Sequence, residues 1–141
     1  KLCLLLKPIE HRLQSIQKQN YVLIDNAYNS SEAGFKNTVD LLLMIKKYRI
    51  FITPGLIDVL DAYEVHKQLI QYATYACDEI VLVGKRNRKA MEDGLKELDF
   101  IMYRYVDTME EALRYIDTID KEDFVVCIEN DIDKVLMNHV N

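Results

Sequence analysis

Five short apolar runs rich in β-formers, separated by stretches with helical spacing, constrain what this chain can fold into more than any other feature. The runs are Tyr21–Ala27 (YVLIDNA), Arg49–Thr53 (RIFIT), Glu79–Val83 (EIVLV), Phe100–Val106 and Phe124–Ile128 (FVVCI). A strand apolar at consecutive positions suits burial on both faces, as in a parallel sheet. Between the runs the period changes. Ser30 or Ser31 can cap a helix that places Phe35, Val39, Leu42 and Leu43 inward. The spacing predicts a helix from Asp61 to about Ala76, with Val65, Leu69, Tyr72, Ala73 and Ala76 on one face. Met91, Leu95 and Leu98 mark a third helix. Thr108 and Glu111 fit a capping box that opens a fourth, with Met109, Ala112, Leu113 and Ile116 inward.

Regular β-α alternation implies an α/β fold: a mostly parallel sheet with helices on both faces, three layers in all. Arg12–Lys18 can add a strand beside Tyr21–Ala27, which brings the sheet to about six strands. Leu2–Leu6 reads as the end of a helix from an upstream domain. With no initiator Met, residues 1–141 read as one domain of a longer protein. In such sheets ligands bind outside the carboxyl ends of the strands. The residues expected there are Asp25, Asn26, Asn29, Thr53, Gly84, Glu129, Asn130 and Asp131.

Several function classes drop out. The net charge is −5, and the densest basic group, Lys85, Arg86, Arg88 and Lys89, is followed at once by Glu92 and Asp93. A nucleic-acid partner, which needs a basic face, is not expected. No apolar run reaches membrane-spanning length, and Lys1–Lys7 is too short for a secretory signal. Cys3, Cys77 and Cys127 form no CxxC and sit among apolar neighbours, as free thiols of a reducing cytoplasm do. His11, His66 and His139 are scattered, so no metal site is expected. With four glycines and neither GxGxxG nor GxxxxGK[ST], the chain lacks a phosphate loop of its own.

The most distinctive stretch is Ile24-Asp25-Asn26-Ala27-Tyr28-Asn29-Ser30-Ser31. It sets an acid and two amides in a strand-to-helix turn. Such residues cap helices in many turns. A carboxylate there can also accept two hydrogen bonds from a ribose diol.

Asp25-Asn26-Ala27-Tyr28-Asn29-Ser30-Ser31-Glu32 resembles the DDAYNANP motif of the C-terminal domain of Mur ligases, in the branch that adds D-alanyl-D-alanine. Lys7-Pro8-Ile9-Glu10-His11-Arg12-Leu13 is similar to that domain's P-x-x-x-R-L opening. Thr53-Pro54-Gly55 and Glu129-Asn130-Asp131 resemble the branch's TPG and END motifs, in the same order. The resemblance implies a Rossmann-like domain that closes over adenosine and helps position the amine, in an ATP-dependent amide ligase of peptidoglycan precursor synthesis. It implies nucleotide contacts from Asp25, Tyr28 and Asn29, and substrate-side roles for Thr53, Gly55, Asn130 and Asp131. It assigns no catalytic residue to this chain. ATP and Mg would be handled with a central ATPase domain of the same protein, and Mg would be bound by that domain. The other partners implied are a UDP-sugar peptide and an amino acid or dipeptide. The domain alone would be inactive, because ligation needs both walls of the site.

The motifs also diverge. The Glu-Leu-Gly that usually follows TPG is replaced within Leu56-Ile57-Asp58-Val59-Leu60-Asp61. Ile132-Asp133-Lys134 lacks the usual Pro, Asn26 stands for a second acid, and Ser31-Glu32 stands for Asn-Pro. These changes leave the amine open. They also suit an alternative, a divergent stand-alone binding or regulatory module without ligase activity. A receiver-type phosphorylation domain fits poorly, since no Asp ends the Arg49–Thr53 strand. His66 and the tyrosines read as packing or surface residues, and Lys85-Arg86-Asn87-Arg88-Lys89 as a solvated loop that could also meet phosphate or carboxylate.

Overall fold

The computed structural model describes residues 14–26 and 31–131. Six strands form one sheet: β1 (Gln14–Gln17), β2 (Tyr21–Asn26), β3 (Arg49–Thr53), β4 (Glu79–Val83), β5 (Tyr103–Val106) and β6 (Phe124–Glu129). The helices are α1 (Glu32–Leu43), α2 (Ala62–Ala73), α3 (Arg88–Glu97) and α4 (Met109–Asp117). The strand order is β1-β2-β6-β3-β4-β5. All pairings are parallel except that of β1, which returns antiparallel along β2. This is the expected Rossmann-like α/β architecture, the extra amino-terminal strand included.

The last strand lies in the middle. β6 inserts between β2 and β3, with Asn26 opposite Glu129 and Ile52 opposite Ile128. Side chains alternate across the sheet, and each set meets its own helices. On one face Ile24, Phe51, Ile80, Leu82, Val125 and Cys127 pack against Phe35, Val39 and Leu42 of α1, Leu69 and Ile70 of α2, and Met91 and Leu95 of α3. On the other, Leu23, Ile50, Ile52, Val81, Val83, Val126 and Ile128 meet Ala112 and Ile116 of α4. α2 and α3 come close at Gly94, where an added Cβ would lie 2.9 Å from both Ile70 Cγ2 and the Lys67 carbonyl oxygen.

The caps follow their side chains. Ser31, rather than Ser30, caps α1 by accepting from the Gly34 amide at 3.0 Å. Thr108 caps α4 by accepting from the Glu111 amide at 3.1 Å, half of the expected box, and its hydroxyl lies 3.4 Å from Glu111 Oε1. α2 starts differently: Asp61 is left-handed (φ 53°) and makes no side-chain cap.

Several boundaries and faces differ from expectation. α2 ends at Ala73, and Ala76 is buried in the turn beyond it. Its buried stripe is His66, Leu69, Ile70 and Ala73, which shares Leu69 and Ala73 with the expected face but is rotated toward His66 and Ile70. Tyr72 faces outward because its hydroxyl donates to Asp40. Leu43 and Leu98, expected inside, lie at helix ends and are exposed. β5 starts at Tyr103 rather than Phe100. The proposed Leu2–Leu6 helix, the Lys7–Leu13 motif, Tyr28, Asn29, Ser30 and Ile132-Asp133-Lys134 lie outside the described residues.

Candidate functional site

The turn after β3 forms the centre of the carboxyl edge. Thr53, Pro54, Gly55 and Leu56 are all buried, and four side chains from separate parts of the fold hold their backbone. Thr53 Oγ1 accepts from the Gly55 amide at 3.0 Å and donates to the Glu129 carbonyl at 2.7 Å. Asn130 Nδ2, just past β6, donates to the Gly55 carbonyl at 2.7 Å. Asn87, at the start of α3, donates through Nδ2 to the Pro54 carbonyl at 2.9 Å and the Leu56 carbonyl at 3.1 Å. His66 Nε2, on α2, lies 2.8 Å from the Leu56 amide. Gly55 has φ +83°, and a Cβ there would fall 2.5 Å from Asn87 Nδ2 and 2.6 Å from His66 Cδ2. Both conformation and space therefore require glycine.

A second buried polar group lies beside it. Asn26 Nδ2 donates to Glu129 Oε1 and to Thr38 Oγ1 of α1, each at 2.9 Å. Thr38 in turn donates to the Gly34 carbonyl, so the end of β2, the end of β6 and the first turns of α1 are tied together. Asn130 is left-handed (φ 70°) and wholly buried, and its Oδ1 has no hydrogen-bond partner. Asp25 and Asp131 are only half-buried at this edge, and Asp25 falls on the same face as Leu23.

The fold thus gathers Asp25, Thr53, Gly55, Asn130 and Asp131 along the ends of β2, β3 and β6. It divides them into two kinds. Thr53, Gly55 and Asn130 are buried and bonded to each other, so they shape the edge from beneath. Asp25 and Asp131 reach the surface. Neither Asn87 nor His66 is among the residues that the sequence places at this edge. Asn87 is hidden within a basic run that reads as solvated, yet it is buried while Lys85, Arg86 and Lys89 stay exposed. His66 continues the buried stripe of α2, a signal the spacing did contain.

Burial lowers the His66 pKa from its ordinary 6.5, against the opposing pull of the Ala62 carbonyl and the Glu32 carboxylate. Cys77 and Cys127 are buried free thiols with pKa values raised chiefly by burial, which makes them poor nucleophiles. Among the described residues no three His, Cys, Asp or Glu side chains converge as a metal site, and no helix is long and apolar enough to cross a membrane. A groove of about 550 Å³ lies at the opposite edge, between Lys18–Tyr21, α4 and Phe124. Because it faces the amino ends of the strands, it is not where an open parallel sheet binds its ligand.

An open, mostly parallel sheet with helices on both faces is the Rossmann-like α/β architecture. Residues 11–128 match the model of the family described as Mur ligase, glutamate ligase domain, and the chain belongs to that family. The fold is similar to that of MurF from Acinetobacter baumannii, with a TM-score of 0.75 at 20% identity over 94% of this chain and 31% of that one. It is also similar to MurF ligase from Thermotoga maritima, solved in complex with ADP, with a TM-score of 0.71 at 16% identity over 94% of this chain and 31% of that one. A murein peptide ligase from Psychrobacter arcticus is more distant, with a TM-score of 0.59 at 14% identity over 91% of this chain and 29% of that one. The chain therefore spans less than a third of the length of these proteins. No curated protein sequence matches it.

Proposed function

We propose that the chain is the C-terminal domain of a three-domain, cytoplasmic, ATP-dependent ligase that joins an amino acid or dipeptide to a UDP-sugar peptide in peptidoglycan precursor synthesis. The family match carries this reading, because residues 11–128 take in β1 to β5, nearly all of β6 and the turn at 53–56. On this reading the catalytic groups and the Mg site belong to a central domain of the full-length protein, and this domain alone is inactive.

The chain's own residues suit one wall of a shared cleft. Asp25 brings a carboxylate to the end of β2, where it can accept from the two hydroxyls of a ribose. Tyr28 and Asn29 follow it in sequence and would flank the base. Asp131 brings a second carboxylate, suited to a substrate ammonium. Thr53, Gly55 and Asn130 contribute by shape: the turn they build sets the amine side of the edge without exposing their own polar atoms. ATP would supply the phosphoryl group that activates the carboxylate, and the edge would serve to orient and to exclude water.

In the full-length protein, ADP release should require both a UDP-sugar peptide and an amine. Asp25→Ala should raise the KM for ATP about tenfold, the loss expected for one charge-assisted hydrogen bond pair, and leave the KM for the amine unchanged. An unchanged KM for ATP would remove the ribose role. Absence of ADP release with every amino acid and dipeptide tried would instead favour a binding module.

A further inference from the structure

His66 has both ring nitrogens committed, and its two partners fix the tautomer. Nδ1 lies 2.7 Å from the Ala62 carbonyl oxygen, which can only accept, so Nδ1 carries the proton. Nε2 lies 2.8 Å from the Leu56 amide, which can only donate, so Nε2 must be bare. The ring is 1% exposed and packs within 2.6 Å of where a Gly55 Cβ would stand. The Pro54 and Leu56 carbonyls are held by Asn87 and the Gly55 carbonyl by Asn130, none of which titrates. Among the described residues whose side chains hold this turn, His66 alone changes its hydrogen-bonding capacity with pH.

We propose that His66 is a pH-sensitive positioning residue: its neutral, Nδ1-protonated imidazole holds the Pro54-Gly55-Leu56 turn in place, and a proton on Nε2 releases the Leu56 amide and loosens the turn. A doubly protonated ring presents two donors, and the Leu56 N–H cannot pair with either. The groups that face the ring are the Leu56 backbone, the Asn87 and Gly55 side of the turn, the Ala62 carbonyl of its own helix and the Glu32 carboxylate on α1. Glu32 favours the charged ring and burial opposes it, with burial the larger effect. The proposal stands on the turn alone, so it and the ligase reading fail separately. If the ligase reading holds, the consequence is an acid limb in the amine KM.

The test is amide protection in the full-length protein. Within this chain, 13C-carbonyl glycine combined with 15N-leucine marks only Leu56 and Leu95, since Gly55-Leu56 and Gly94-Leu95 are its Gly-Leu pairs. Nitrogen shifts of the His66 ring should show the Nδ1–H tautomer at neutral pH. Protection at Leu56 should fall about tenfold per pH unit below 6.5 until the folded-state pKa is reached, while Leu95 in α3 holds. His66→Gln, whose amide oxygen can replace Nε2 as acceptor, should keep Leu56 protected and abolish the pH dependence. His66→Ala should lose protection at every pH. An Nε2–H tautomer, parallel loss at Leu56 and Leu95, or unchanged pH dependence in His66→Gln would each overturn the proposal.

Discussion

The two edges of the sheet are built by different chemistry. At the carboxyl edge, neutral side chains bond to the backbone of one turn: Thr53, Asn87, Asn130 and His66 each bond a backbone group of residues 54–56, beside the side-chain group of Asn26, Thr38 and Glu129. At the amino edge, charged side chains bond mainly to other side chains, although Asp78 also accepts from the Arg49 amide at 2.8 Å. Glu79, buried at the start of β4, accepts from Tyr48 at 2.9 Å and from Tyr115, while Arg104 stacks on Tyr115 and Lys121 on Tyr48. Lys47 pairs with Asp123, and Arg49 lies 3.7 Å from Asp78. Bonds to backbone fix the path of a loop. Bonds between long side chains tie elements together but leave the loop path free. The edge that should face a ligand is the one with its backbone fixed.

The strongest test of this contrast is Gly55→Ala. A left-handed alanine costs about 1–2 kcal/mol, and displacing Asn87 and His66 leaves buried groups unpaired at about 1–3 kcal/mol each, so urea unfolding should show a loss of ~3 kcal/mol or more. Asn87→Ala should come next, at about 2 kcal/mol by the same measurement, because two buried carbonyls lose their donor. At the amino edge, Tyr48→Phe should cost only about 1 kcal/mol, since the Glu79 carboxylate keeps Tyr115. Lys47→Ala, which removes a pair whose aspartate is 75% exposed, should change stability by less than about 0.5 kcal/mol and by less still in salt. If Lys47→Ala cost as much as Asn87→Ala, the distinction between the edges would be lost.

The edges should also fail at opposite ends of the pH scale. His66 is depressed in the folded state, so its contribution is complete above pH 6.5 and declines as pH falls from there toward the folded-state value. Tyr48 and Tyr115 are raised above 10, by burial first and by Glu79 second. Their contribution is complete below pH 10 and declines as pH rises beyond it. Thermal melts across pH should show His66→Gln flattening the acid side and Tyr48→Phe the alkaline side.

Much of the fold was legible because short runs rich in Val and Ile read as buried strands, two of them stopped by Pro54-Gly55 and Gly84, while longer stretches with a 3.6-residue period read as helices. RIFIT, EIVLV and FVVCI became β3, β4 and β6 almost to the residue. Faces were less legible where a residue is amphipathic. Tyr72 counts as apolar in a helical period but has a hydroxyl that Asp40 takes outward, and His66 counts as polar but can be buried once both nitrogens are bonded. The site was half legible. Strand-tip positions of Asp25, Thr53, Asn130 and Asp131 follow from topology, but their division into buried braces and surface carboxylates does not.

By itself the sequence determined the order of elements, the layered class and which residues crowd one edge, because these depend on local period and on the rule that parallel strands point the same way. The tertiary structure decided that β6 runs between β2 and β3, bringing Glu129 to Asn26 and Asn130 to Gly55. It also brought His66 and Asn87, from two different helices, onto one turn. Hydrogen bonds between residues far apart in the chain leave no period to read, so only the packed fold reveals them.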